Sequence, residues 1–168
     1  MTIITNLLCM VGAFVAMECV ANLMHRHVMH GFGWGWHRSH HEPPTGGWEK
    51  NDLYAVVFAA VAIALFYVDA MRLGPLFWIA AGVTIYGAAY AVMHDVLVHR
   101  RIPVRFRPRW RYLTRLIEAH RIHHAVKTRE GALSFGFLYA AQPDALAREL
   151  RAMRQARDAA ERDAKAVT

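Results

Sequence analysis

The chain has 168 residues, enough for one domain rather than two. Its hydrophobic share of 55% exceeds that of ordinary soluble domains, yet it carries 20 Lys and Arg and a net charge of +7. Apolar and basic residues must therefore be segregated, as in a membrane protein with one basic face; the long apolar runs argue against a soluble nucleic-acid binder.

In chain order, residues 3–24 form an apolar run interrupted by Thr5, Asn6 and Glu18. It lacks the basic start and small-residue cleavage site of a signal peptide, so it reads as a retained anchor. Residues 53–70 are apolar until Asp69, and residues 76–98 until His94 and Asp95, with a Gly74-Pro75 break between them. Each run has the length of a membrane span. The sequence thus predicts an all-α integral-membrane bundle with three spans. A fourth apolar stretch, 131–141, is too short to span as a helix and either lies in the interface or re-enters the bundle. We place the bundle domain at 1–143, followed by a basic, Ala-rich tail at 144–168 whose Leu146, Leu150 and Met153 make a brief helical stripe. Cys9 and Cys19 sit in the first apolar run and read as buried small hydrophobes.

Basic residues set the orientation. With the N-terminus outside, every Lys and Arg except Arg72 faces the cytoplasm. The same topology gathers all 11 histidines at one membrane face. Ten of them form two motif types, each present twice: His25-x4-His30 and His94-x4-His99, then His37-x2-His40-His41 and His120-x2-His123-His124. Positions i, i+3 and i+4 share a helix face, so the second motif predicts three imidazoles converging on one site. The x4 spacing advances an α-helix by about 140° net, so those rings straddle a site or the helix is distorted between them. Ten imidazoles suit two metals with about five nitrogens each; imidazole alone does not choose among zinc, copper, iron and nickel. His27 falls outside the motifs. Asp95 beside His94, Glu118 near His120, and Glu18, seven residues before His25, are the candidate carboxylates for orienting imidazoles or other polar groups.

These motifs, with the stretches 29–37, 40–43, 51–58, 94–99 and 130–139, resemble the bacterial β-carotene hydroxylases of the fatty acid hydroxylase superfamily. The resemblance runs over roughly 17–139 and implies a non-heme di-iron monooxygenase of carotenoid biosynthesis in the bacterial inner membrane. It implies that His25, His30, His37, His40, His41, His94, His99, His120, His123 and His124 hold two Fe2+ ions. It further implies that O2 and two electrons from reduced ferredoxin hydroxylate carbon 3 of each β-ionone ring, taking β-carotene to β-cryptoxanthin and zeaxanthin, or canthaxanthin towards astaxanthin. Membrane lipid supplies the substrate, and no nucleic acid is involved. Trp34, Trp36, Phe58, Trp78, Phe135 and Phe137 are candidates to line the substrate path, each also a candidate for interfacial belt or core. Arg105, Arg107, Arg109 and Arg111 form a basic patch for either anionic lipid or a redox partner, with lipid the favoured reading. Histidine motifs alone also fit a lipid desaturase, a fatty acid hydroxylase or a carotenoid ketolase. A membrane metal transporter needs ligands along a path through the bilayer, whereas these gather at one face.

Overall fold

A computed structural model describes residues 2–42, 47–106 and 108–166. It is all-helical among these residues: α1 (Ile3–Leu23), π1 (Met24–Phe32), α2 (Trp34–His41), α3 (Asp52–Asp69), α4 (Pro75–Ala91), π2 (Val92–Val98), α5 (Arg111–His124) and α6 (Pro143–Ala166). The prefix π marks wider turns with i→i+5 backbone hydrogen bonds, as from His99 N–H to the His94 carbonyl (2.9 Å).

Three continuous helical runs are long and apolar enough to cross a membrane: Ile3–Phe32, Asp52–Asp69 and Pro75–Val98. The 21 residues of α1 extend about 31 Å, close to the thickness of a bilayer's hydrocarbon core, so π1 emerges at its edge. Ile4, Leu8, Ile63 and Val68 point outward from the bundle, as lipid-facing residues do.

Without a hydrophobic drive between helices in lipid, close backbone approach decides packing. Gly82 supplies it between α1 and α4: a Cβ there would collide with the Met10 carbonyl and crowd Ala13. Asp69 ends α3 and caps α4 across the tight connection, accepting from Leu76 N–H at 3.0 Å and Phe77 N–H at 3.3 Å. Pro75 starts α4 where no backbone donor is needed.

The short apolar stretch after α5 contains no helix; residues 132–142 run as irregular backbone across the bundle. Such backbone is tolerated near lipid only when protein satisfies its polar groups. Glu18 does so from within α1, accepting from Phe137 N–H at 2.9 Å and from Leu138 and Tyr139 N–H at 3.0 Å. The Tyr86 hydroxyl donates to the same carboxylate at 2.7 Å, which ties α4 to the assembly.

The brief stripe expected beyond residue 143 is a 24-residue helix, α6. Leu146 and Leu150 bury its first turns, with Leu146 in a core shared with Leu116 and Ile117 of α5. Cys9 and Cys19 are free, and Cys19 is exposed.

Candidate metal centre

The ten motif histidines converge into two groups of five. One contains His25, His30, His37, His41 and His123; the other contains His40, His94, His99, His120 and His124. Within each group, one ring nitrogen per residue lies within 4.8 Å of all the others. The groups adjoin, with the His41 and His124 rings stacked at 4.4 Å. His27 is exposed and belongs to neither.

This grouping corrects the expectation that each x2 motif serves one site. His37 and His41 enter the first group while His40 enters the second; His120 and His124 enter the second while His123 enters the first. Helix geometry explains the split. Positions i and i+4 differ by about 40°, whereas i+3 lies about 60° to the other side, so each motif straddles the boundary between groups. The x4 pairs stay together because their segments are distorted into π turns. There, i→i+5 bonding brings the fifth residue back over the first. Gly31 then leaves helical geometry, and the chain turns into α2.

Hydrogen-bond acceptors fix the tautomers. In the first group, His25 Nδ1 donates to the Phe135 carbonyl (3.0 Å), His30 to Arg129 (2.8 Å), His41 to Val126 (2.8 Å) and His123 to Leu133 (3.0 Å). His37 Nδ1 donates to Asn51 Oδ1 at 2.7 Å. Carbonyl oxygens only accept, so all five Nε2 atoms carry bare lone pairs in the neutral rings. Yet His25 and His37 Nε2 are 3.1 Å apart, His37 and His41 3.2 Å, and His30 and His123 3.2 Å. Lone pairs aimed at one another with no proton between them repel, and a shared cation removes that repulsion. The donor set therefore fits a metal ion.

The second group uses carboxylates for the same purpose. His40 Nδ1 donates to Glu49 at 2.9 Å and His94 Nδ1 to Asp95 at 2.8 Å, while the two Nε2 atoms meet at 2.8 Å. Arg101 holds these acids in place. It makes a two-pronged bond to Asp52 (2.6 and 2.7 Å) and lies 3.6 Å from Asp95. Asp52 in turn accepts from Glu49 N–H at 3.0 Å. The two groups thus differ in surroundings, the first set in neutral carbonyls and an amide, the second beside anions.

Burial favours the neutral form, the one that binds metal, in His37, His41, His99, His120, His123 and His124. It pushes His41 down to about 4 and His99 to about 3, and carries His37, His120, His123 and His124 well below the ordinary imidazole range. Neighbouring imidazoles add to the effect. The bond to Asp52 moves Arg101 upward, so it stays charged.

Of the three carboxylates singled out from sequence, Asp95 binds a motif histidine. Glu18 binds Tyr86 and backbone N–H groups instead, and Glu118 is half exposed and pairs with Arg121. Glu49, Asn51 and Arg101 were missed. They sit in polar runs flanking the second and third spans, and no spacing marks them. Backbone carbonyls of residues 126, 129, 133 and 135 leave no mark in side-chain chemistry at all.

An apolar cavity of about 490 Å³ lies between α1, α3 and α4. It reaches from Phe66 and Thr84 within the bundle to Asn51 and Asp95 beside the histidines. Phe137 and Tyr90 form its wall at that end, stacking on His25 at 5.3 Å and on His94 at 4.7 Å. Of the six aromatics proposed for a substrate path, Phe58 and Phe137 line this cavity. Phe135 packs edge-on to His25, His30 and His123; Trp34 covers His30 and His41; Trp36 meets Tyr54; Trp78 binds the Leu73 carbonyl at the opposite end. Arg105, Arg109 and Arg111 are exposed, and Arg107 lies outside the described residues.

Fold and site together define an integral-membrane helical protein with a histidine-rich metal site. Residues 10–146 match the fatty acid hydroxylase family model. The chain is 53% identical over 161 residues to the β-carotene hydroxylase of Pantoea ananas, covering 96% of this chain and 92% of that one. It is 50% identical to the β-carotene hydroxylase of Paracoccus sp. (strain N81106 / MBIC 01143), over 88% of this chain and 91% of that one. The chloroplastic β-carotene 3-hydroxylase 2 of Arabidopsis thaliana is 40% identical over 121 residues, which are 70% of this chain and 40% of that longer one. No solved structure matches. The chain belongs to the fatty acid hydroxylase family, alongside the bacterial β-carotene hydroxylases.

Proposed function

We propose that this protein is a β-carotene 3-hydroxylase. It adds hydroxyl groups to carbon 3 of carotenoid β-ionone rings, converting β-carotene through β-cryptoxanthin to zeaxanthin, and accepts the 4-keto analogues towards astaxanthin. The observation that carries this reading is the paired five-histidine site at the end of an apolar cavity between membrane helices. The names of the similar hydroxylases give the substrate class.

The ten motif histidines hold two metal ions, which we take to be iron, and these supply activation of O2 when bound. The chain's own groups perform the remaining tasks. Backbone carbonyls, the Asn51 amide oxygen and two carboxylates on Nδ1 hold His25, His30, His37, His40, His41, His94 and His123 with Nε2 inward. The cavity draws a hydrocarbon ring from the bilayer, and its apolar wall directs the ring towards the centre and keeps water away. Phe137 and Tyr90 separate the polyene from the imidazoles.

Reduced ferredoxin is the proposed electron donor. Basic-residue asymmetry supports a cytoplasmic metal site and C-terminus in the inner membrane. The proposed division is a hydroxylase unit at 1–143 and a tail at 144–168, whose Leu146 and Leu150 are buried. Arg105, Arg109 and Arg111 face the lipid interface in this arrangement, since Phe106 and Trp110 are exposed beside them.

Aerobic expression in carotene-producing cells tests the reading. Wild type yields 3-hydroxylated rings, whereas His123→Ala, which removes one ligand from the first group, lowers product at least about 100-fold. Ketones or altered acyl chains in place of ring hydroxyls would reject it.

A further inference from the structure

Hydroxylation that keeps one oxygen atom follows R–H + O2 + 2e− + 2H+ → R–OH + H2O. On the function proposed above, two electrons must therefore reach a centre buried beneath Trp34, Phe135 and Phe137. The turn after α5 is a surface segment within a single hydrogen bond of it. Val126 and Arg129, in the turn after α5, accept through their carbonyls from His41 and His30, each at 2.8 Å. Both histidines belong to the first group.

The outer side of this turn forms one wall of a groove of about 790 Å³. Residues 125–131 face Leu150, Met153, Arg154 and Arg157 of α6. Lys127, Arg129, Arg154 and Arg157 set against Glu130 give the lining a net charge of 4 − 1 = +3. Arg154 fixes the groove's shape by donating to the Ala125 carbonyl at 2.9 Å. Met153, 40% exposed, offers an apolar contact among the cations. Lys127 is exposed in this lining. An apolar contact rimmed by positive charge suits an acidic protein partner.

We propose that this groove docks an acidic one-electron carrier protein, and that electrons enter through the 126–129 turn and its hydrogen bonds to His41 and His30. The exposed aromatics beside Arg105 and Arg109 suit lipid; α6, charged along most of its length, keeps the groove in water.

Two measurements test the docking. In detergent-solubilised holoprotein, Lys127→Glu with Arg157→Glu should raise the KM for an acidic plant-type ferredoxin about tenfold and flatten its salt dependence. Turnover driven by dithionite and methyl viologen, and metal content, should stay at wild-type values. An unchanged ferredoxin KM, or a rise confined to Arg105→Glu with Arg109→Glu, overturns the proposal. Zero-length carbodiimide coupling provides a readout independent of turnover. The chain has three lysines, Lys50, Lys127 and Lys165. Coupling of ferredoxin carboxylates at Lys127 supports the groove; coupling at Lys50 or Lys165 alone overturns it. If wild type hydroxylates no carotenoid with either reductant, the proposed function fails, while the coupling result still decides the docking.

Discussion

Glu18 and Glu49 show how differently two acids serve the same bundle. Glu18 sits inside a span, where an unsatisfied carboxylate is costly, and it is held by three backbone N–H groups and the Tyr86 hydroxyl. Glu18→Leu strands those donors at about 1–3 kcal/mol each. We expect it to lower the melting temperature and release metal, with Tyr86→Phe, which removes one donor, showing a much smaller loss; thermal melts with metal analysis compare the two. Glu49 acts on one imidazole, so its removal should be local. Glu49→Ala should weaken metal binding in the second group about 10–100-fold and spare the first. Chelator titration should then remove one metal ahead of the other, and loss of both together would contradict the assignment.

Among the elements, the π turns and the α1–α4 contact have the strongest bearing on the site. His25 and His30 share a group only because π1 brings positions five apart to one side, and π2 does the same for His94 and His99. The two segments extend α1 and α4, whose spacing depends on Gly82. Gly82→Val drives a side chain against the Met10 carbonyl and separates the helices that carry four of the ten histidines. Overpacking of this kind costs about 1–3 kcal/mol, and it should reduce metal content although no ligand is altered. Full metal occupancy in Gly82→Val, measured by elemental analysis, would show that the contact does not set the site.

For the whole molecule, the site works as a cross-link. Its histidines come from π1, α2, π2 with the residue that follows it, and α5, while their Nδ1 partners come from the segment 126–135, the polar run before α3 and Asp95. A metal bound to the folded state alone stabilises it by about 4 kcal/mol at a thousandfold excess over its Kd. Without metal, facing lone pairs within each group repel. Chelation should therefore lower the melting temperature and open residues 25–42 and 120–131 to protease, and metal should restore both. Protection unchanged after chelation would mean that packing alone holds the site.

The three spans, the kind of metal donor and the family-level resemblance were legible in the sequence. Apolar runs of bilayer length have few alternatives to helix, and ten histidines at repeated spacings leave little other use for so many imidazoles. Tertiary structure decided which histidines share a group, because a helix divides neighbouring motif positions by angle. It also decided the route of the fourth apolar stretch, whose backbone donors are satisfied by Glu18 from another helix. Apart from Asp95, the partners that orient the imidazoles were likewise invisible, since four of them are carbonyls every residue possesses, and only the folded path brings them to the rings.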